Sequence, residues 1–167
     1  MPSYYIHMDQ GIAADLRNYS LCSGQFSNCA PIVMYNAHRH EGALYHLAGC
    51  KQLDQLKIGH INALITVVGP TVAYVLQGVE DIVFGPATGH VDPVTAIFQH
   101  ANIPVHRGFN GRSSFSSITV CEANGRLDIQ ARLDTSTKLN TKMAIDALPA
   151  DVAFIGEDRD QALAVWL

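Results

Sequence analysis

The chain has 167 residues, of which 48% are apolar and 16% are charged, and its formal net charge is −4. This length and composition predict one globular domain, residues 1–167, with its own apolar core. The acidic balance and the absence of any lysine or arginine run argue against nucleic acid and anionic membrane as partners, because both require a basic face.

The terminus and the cysteines predict a cytoplasmic location. The first ten residues, MPSYYIHMDQ, show no basic stretch followed by an apolar core, so no secretory signal is expected. The four cysteines match no disulfide framework, which favours a reducing compartment. The stretch from Gly59 to Val79 lacks charged side chains and is long enough to span a bilayer. Its polar residues and the central Gly69-Pro70 favour two separate elements over membrane insertion.

Hydrophobic patterning in the first half predicts mainly strands. Strands are predicted over 4–8, 31–36, 42–47, 71–78 and 82–85. The polar connection AHRHE joins the second and third of them as a hairpin. Apolar residues at helical spacing predict a helix over 53–68, which ends at Gly69-Pro70.

The second half adds a helix, a hairpin and a tail. Asp92 as N-cap and Pro93 as first helical residue predict a helix over 93–101. Asn124-Gly125 is a strong hairpin signal. The remaining predicted elements are strands over 105–109, 116–120, 126–132 and 151–156 and a helix near 141–148. Strands predominate over helices, which predicts an α+β domain.

Cys29 lies between a polar loop and the strand 31–36. With the hairpin turn centred between residues 37 and 38, antiparallel pairing places Cys29 directly opposite His46. Cβ atoms of opposed residues lie about 4.5–5.5 Å apart. A thiol and an imidazole at that distance can form thiolate and imidazolium, the reactive form of cysteine. A slip of one residue would instead put the two side chains on opposite faces.

The loop before Cys29, SGQFSN, also fits a reactive site. Its backbone N–H groups can stabilise an oxyanion beside the sulfur. Ser23, Gln25 and Asn28 are available to orient the histidine or to hold a substrate. Gln25 and Asn28 are the candidate substrate or oxyanion residues.

Other interpretations of these residues stay open. A cysteine beside a strand is commonly a packing residue. A metal site is a second alternative, although the pattern matches no zinc spacing. Its candidate ligands are Cys29, His38, His40, His46 and Cys50.

The chain resembles the CheD family of chemoreceptor glutamine deamidases. That family has a loop ending in Gly-Ser-Cys, a strand, and then a Gly-Gly strand that carries a histidine. The corresponding segments here are Ser27-Asn28-Cys29, IVMYN and EGALYHL, with the same interval of 17 residues from cysteine to histidine. Ser23 stands where the family has a threonine. A later block, ANIPVHRGFNGRSSFSSITVCEANGRLDI, is also similar.

The resemblance covers residues 20–131 and departs from the family in places. Ser27-Asn28 replaces Gly-Ser, Glu41-Gly42 replaces Gly-Gly, and residues 133–167 form an unassigned extension. LAGC at 47–50 is similar to a motif of deamidating toxins of the cytotoxic necrotizing factor type, with His60 in the role of base. Because His60 is predicted on a helix, the pair of Cys50 and His60 ranks below Cys29 and His46.

The resemblance implies a layered α/β/β/α-type domain in which packed, mostly antiparallel sheets are flanked by helices. It implies a cytoplasmic hydrolase of chemotaxis that deamidates protein glutamine, on chemoreceptors among its targets, and that binds a CheC-like partner. Cys29 would be nucleophile, His46 base and Ser23 the orienting group, with no metal or organic cofactor. Two alternatives remain: a thiol amidase of a small-molecule amide, and a non-catalytic CheD-like binding module.

Overall fold

A computed structural model describes residues 1–24, 26, 29–48, 53–76, 91–107, 117–132, 149–156 and 165–166 of the chain. These ranges contain eleven strands and two helices. The strands are β1 (Ser3–Ile6), β2 (Gly11–Asp15), β3 (Ser20–Gly24), β4 (Ala30–Asn36), β5 (Glu41–Leu47), β6 (Val72–Val75), β7 (Val105–Arg107), β8 (Ser117–Ala123), β9 (Arg126–Arg132), β10 (Ala153–Ile155) and β11 (Val165–Trp166). The helices are α1 (Gln55–Val68) and α2 (Val91–His100).

The strands form two sheets. A five-stranded sheet has the order β11-β1-β3-β8-β9, and a six-stranded sheet has the order β10-β2-β5-β4-β6-β7. Only β1 with β3 and β6 with β7 pair in parallel among the described strands. The first four strands alternate between the sheets, because β1 and β3 belong to the first and β2 and β4 to the second; β5 stays in the second sheet beside β4.

The two sheets pack face to face, and both helices pack on the far side of the six-stranded sheet. Ile6, Leu21 and Val120 from one sheet meet Val33 and Leu44 from the other in a shared core. A second core lies between the six-stranded sheet and the helices. Its largest members are Ile32, Met34, Tyr45, Ile61, Leu64 and Phe98. The α+β prediction is confirmed, and within the described ranges the layers are β/β/α, with helices on one side only.

The central position of the six-stranded sheet explains the composition of β4 and β5. Every residue of β4 and all but the first of β5 are buried. Because helices cover one face and a sheet covers the other, these strands read as nearly continuous apolar runs without alternation. By contrast, β8 alternates between buried and half-buried residues, as expected for a sheet with one face on a core.

Several predicted boundaries differ from the structure. The helix predicted over 93–101 begins at Val91, so Asp92 lies inside its first turn and is not the N-cap. The strands β2 and β3 were not predicted. Both are rich in small residues, and β3 forms because β1 and β8 pair with its two edges. The elements predicted over 82–85 and 141–148 lie outside the described residues.

The hairpin of β4 and β5 has a register that corrects the sequence prediction. Pro31, not Cys29, is the direct partner of His46. The loop has four residues, 37–40, because the Asn36 side chain accepts the N–H groups of His38 and Arg39 and stabilises a longer turn. Cys29 is therefore displaced by two residues from direct opposition to His46. Since side chains alternate with a period of two, this displacement leaves both on the same face.

A polar cluster joins the two sheets at the hairpin end of β4 and β5. The Tyr35 hydroxyl donates to Glu122 Oε2 at 2.8 Å, and His40 Nδ1 lies 2.9 Å from both carboxylate oxygens. Glu122 belongs to the five-stranded sheet and Tyr35 to the six-stranded sheet. Burial, reinforced by Glu122, raises the pKa of Tyr35 to about 12, so the phenol stays a hydrogen-bond donor at neutral pH.

Gly42 permits the close approach of β5 to its neighbours. A Cβ atom there would lie 2.9 Å from Leu16 Cγ and 3.1 Å from the Met34 carbonyl oxygen. We expect Gly42→Ala to lower the free energy of unfolding by about 1–3 kcal/mol, the usual cost of overpacking. The matched control is Gly59→Ala on α1, where a Cβ meets nothing within 4 Å. This variant should be more stable than the wild type by about 0.5–1 kcal/mol. Urea denaturation measures both, and equal midpoints for Gly42→Ala and wild type would contradict the packing argument.

None of the described helices is long and apolar enough to cross a membrane.

Candidate functional site

Ser23 and His46 meet across the gap between the two sheets. Ser23 ends β3 in the five-stranded sheet, and His46 lies near the end of β5 in the six-stranded sheet. Ser23 Oγ is 2.7 Å from His46 Nδ1, so the contact predicted from the sequence is present. Both side chains face the shared core, because Leu21 and Leu44, two residues before each, belong to it.

The hydrogen bonds of Ser23 determine which nitrogen of His46 carries the proton. Ser23 Oγ also lies 2.7 Å from the carbonyl oxygen of Ile6. A carbonyl can only accept, and a serine hydroxyl has one hydrogen, so Ser23 donates to Ile6. Ser23 must then accept from His46, which places the proton of the neutral imidazole on Nδ1. The lone pair available for chemistry is therefore on Nε2.

His46 Nε2 is buried and has no hydrogen-bond partner within the described ranges. The residue as a whole is only 2% exposed. Burial, and to a smaller extent the electrostatic influence of His7, lowers the pKa of His46 from 6.5 to about 3. A buried polar atom without a partner is rare in native proteins and requires an explanation. Because the proton lies on Nδ1, the lone pair of Nε2 is unprotonated, and the neutral imidazole can act as a base.

Cys29 lies on the same face of the six-stranded sheet as His46. It belongs to the core between the sheets together with Val33 and Tyr35, whereas Ala30 and Ile32 face the helices. If the ladder is continued by one residue beyond Ala30 and Leu47, Cys29 is the diagonal neighbour of His46. Diagonal neighbours lie about 7–8 Å apart at Cα, and their side chains are closer.

The low pKa of His46 corrects a second expectation. A resting thiolate–imidazolium pair is disfavoured, because the imidazolium would have to be buried between two sheets. The structure favours a neutral imidazole on the same sheet face as a thiol. Such a pair reacts when the thiol transfers its proton during attack, which is general-base catalysis.

Phe26 forms one wall of the site and was not singled out from the sequence. Its ring stacks on the His46 imidazole with centroids 4.2 Å apart and an interplanar angle of 25°. Phe26 is 1% exposed and belongs to the core between the sheets. The only sequence signal is a lone aromatic residue within the polar segment SGQFSN.

The turn between β1 and β2 holds the end of β5 in place. The N–H of Asp9 donates to the His46 carbonyl at 2.6 Å, and the N–H of His46 donates to the Gln10 carbonyl at 3.0 Å. The Asp9 carboxylate accepts the N–H of Ala48 at 3.1 Å and lies 3.8 Å from the Lys57 ammonium. Asp9 has a φ of 58°, a left-handed conformation that Asp tolerates in turns. The backbone on both sides of the imidazole is thus held in place, although no pattern in the sequence distinguishes Asp9.

The remaining predicted residues lie elsewhere or are not described. Gln25, Asn28 and Cys50 are outside the described residues. His60 Nδ1 lies 2.9 Å from the Tyr45 hydroxyl, and Tyr45 faces the helices, so His60 is on the opposite side of the six-stranded sheet from His46. His40 directly precedes β5, at the opposite end of that strand from His46, and its imidazole contacts Glu122. Among the described residues, no group of three or more His, Cys, Asp or Glu side chains is arranged to hold a metal ion.

The arrangement combines the parts that nucleophilic catalysis requires. It has a thiol, a neutral imidazole with an available lone pair, and a third group that orients the imidazole. No protein-family model matches the chain, and no curated protein matches it. The case for a function therefore depends on the side chains themselves.

Proposed function

We propose that the protein is a cysteine-dependent amidohydrolase that converts glutamine side chains of a protein into glutamate. The observation that carries this proposal is the buried Nε2 of His46, which has no partner among the described residues and lies on the same sheet face as Cys29. The resemblance to the CheD family supports glutamine as the substrate. The Ser23 contact at 2.7 Å supports a three-residue site of Cys29, His46 and Ser23.

In the first half of the reaction, His46 Nε2 takes the proton of the Cys29 thiol while Sγ attacks the carboxamide carbon. A tetrahedral intermediate forms, with its negative charge on the former carbonyl oxygen. His46 is an imidazolium at this stage, and its Nδ1–H donates to Ser23. The intermediate collapses when Nε2–H passes its proton to the nitrogen, which leaves as ammonia. The product on the enzyme is a thioester between Cys29 and the substrate.

In the second half, water replaces the ammonia. His46 Nε2 takes a proton from the water as its oxygen attacks the thioester carbon. The carbon–sulfur bond then breaks, the proton returns to the Cys29 sulfur, and glutamate leaves. The sum of the steps is one carboxamide and one water converted into one carboxylate and one ammonium ion. These steps use no metal and no organic cofactor.

The test is ammonia release combined with mass spectrometry of the substrate. Candidate substrates are cytoplasmic helical segments of a chemoreceptor, with free glutamine and short amides for comparison. Deamidation adds about 1 Da at a glutamine, as expected when an acyl-enzyme is hydrolysed by water. Turnover of short amides without turnover of protein glutamine would favour a small-molecule amidase. Absence of both reactions over a panel of amides would reject the proposed enzyme in favour of a binding module.

Ser23→Ala should lower activity without abolishing it. The change removes the acceptor for His46 Nδ1–H and leaves that buried donor unpaired, which costs about 1–3 kcal/mol. If that cost appears in the activation barrier, kcat falls by about 5- to 150-fold. Ser23→Thr keeps the hydroxyl and should retain most of the activity. Steady-state ammonia release measures both variants, and equal losses in Ser23→Ala and Ser23→Thr would show that the hydroxyl does not orient His46.

A further inference from the structure

Phe26 occupies a position from which it can control access to the reacting atoms. It lies three residues after Ser23 and three residues before Cys29, so one short segment supplies the orienting group, the stacked ring and the thiol. The ring lies nearly parallel to the His46 imidazole at a centroid distance of 4.2 Å. An apolar ring on a histidine in a core is an ordinary packing contact when both nitrogens of the histidine are bonded. Here only Nδ1 is bonded within the described residues.

The approach to His46 is therefore restricted on two sides. Ser23 occupies the Nδ1 edge, and the Phe26 ring covers one face of the imidazole. A group that reacts at Nε2 has to lie beside the Phe26 ring. A planar, unsubstituted carboxamide fits beside a flat ring. A substituent on the amide nitrogen adds bulk next to the nitrogen that has to approach Nε2, in the space that the ring restricts.

We propose that Phe26 is a specificity-determining residue that admits primary carboxamides to Cys29 and His46 and excludes N-substituted amides. This inference rests on the proposed function and deepens it, because it separates a glutamine deamidase from a peptidase, whose scissile amide carries a carbon substituent on nitrogen. The Phe26 ring alone would then distinguish primary carboxamides from N-substituted amides. The burial that lowers the pKa of His46 is consistent with a ring that also keeps water from the imidazole.

The proposal is tested by the reagent selectivity of the Cys29 thiol, which needs no turnover. Iodoacetamide carries a primary carboxamide, and N-phenyl iodoacetamide carries the same reacting carbon with a substituted nitrogen. The rates of labelling by the two reagents are measured for each cysteine by peptide mass spectrometry. Cys121, which is half-buried on β8, serves as the internal reference for the intrinsic difference between the reagents.

In the wild type, we expect Cys29 to prefer iodoacetamide over the N-phenyl reagent by about tenfold or more relative to Cys121, the range in which a pocket rejects extra bulk. Phe26→Ala should reduce this preference to that of Cys121. Phe26→Leu keeps the apolar volume without the flat ring and should give an intermediate value, and it keeps the test valid if the alanine variant does not fold. An unchanged preference at Cys29 in a folded Phe26 variant would overturn the proposal.

The outcomes for the two proposals are distinguishable. If Cys29 shows the expected preference but wild-type protein releases no ammonia from glutamine, the deamidase proposal fails and the role of Phe26 stands. If glutamine is deamidated but the folded Phe26 variants keep the wild-type labelling preference, the role of Phe26 fails and the deamidase stands.

An NMR titration of His46 adds a third measurement. Its pKa should rise from about 3 toward 6.5 in Phe26→Ala, and a pKa unchanged from the wild type would also overturn the covering role.

Discussion

Replacing Cys29 by alanine should lower kcat for glutamine deamidation by at least about 10⁴-fold, the scale of loss when the nucleophile of a catalytic triad is removed. The acyl-enzyme cannot form without the sulfur, so neither half of the reaction proceeds. His46→Gln should cause a loss of similar size. The double variant should be no worse than either single variant, because nucleophile and base act as one unit. The measurement is steady-state ammonia release with a substrate whose glutamine the wild type deamidates.

The control for this experiment is Cys121→Ala. Cys121 lies on β8, and burial, reinforced by Asp128, raises the pKa of its thiol. Its removal should leave kcat unchanged, which separates loss of the nucleophile from a general sensitivity to loss of a thiol. Thermal denaturation of each variant verifies the fold. Full activity in Cys29→Ala would eliminate the mechanism, and strictly additive losses in the double variant would show that the two residues act independently.

The stability of the protein should fall steeply as the pH decreases below 6.5. The pKa of His46 is about 3 in the folded protein and about 6.5 in the unfolded chain. Between these values the unfolded chain binds a proton that the folded protein does not, so acid favours unfolding. The slope is about 1.4 kcal/mol per pH unit, and this one group contributes about 2 kcal/mol of lost stability between pH 6.5 and pH 5.

His46→Gln tests this assignment, because glutamine does not titrate and its amide can still donate to Ser23. The free energy of unfolding from urea denaturation should depend less on pH in this variant, by about 1.4 kcal/mol per unit below pH 6.5. His106→Gln is the matched control, since His106 is exposed and stacks only on Tyr74 in the described structure. It should keep the wild-type slope. A wild-type slope in His46→Gln would mean that His46 is protonated when the protein is folded.

The sequence predicted that Cys29 and His46 share one face of the sheet, but it did not predict the pairing register of β4 and β5. The predicted register was wrong by two residues, and because side chains alternate between the faces with a period of two, Cys29 and His46 still lie on one side of the sheet. The turn itself could not be predicted, because its length depends on two backbone N–H groups that donate to the Asn36 side chain. Strand boundaries at β9 were predicted to the residue, since Asn124-Gly125 defines that turn locally.

The features that the sequence did not predict depend on partners that are distant in the chain. β3 carries Ser, Cys and Gly, which favour a loop in isolation, and it becomes a strand only between β1 and β8. Phe26 belongs to the site because its ring stacks on the His46 imidazole, and the residues next to Phe26 in the sequence do not indicate that contact. The low pKa of His46 likewise arises from burial between two sheets, which the spacing of residues in the sequence does not indicate.

The alternation of the first four strands between two sheets has a consequence for biosynthesis. Ser23, Phe26, Cys29 and His46 all leave the ribosome within the first third of the chain. However, β8, the strand that pairs with the second edge of β3, is not made until residues 117–123. At about 5–20 residues per second, several seconds separate synthesis of Cys29 from synthesis of the strand that completes its surroundings. The pairing of Ser23 with His46 across the two sheets, on which the proposed reactivity of Cys29 depends, can therefore form only when the sheets close on each other.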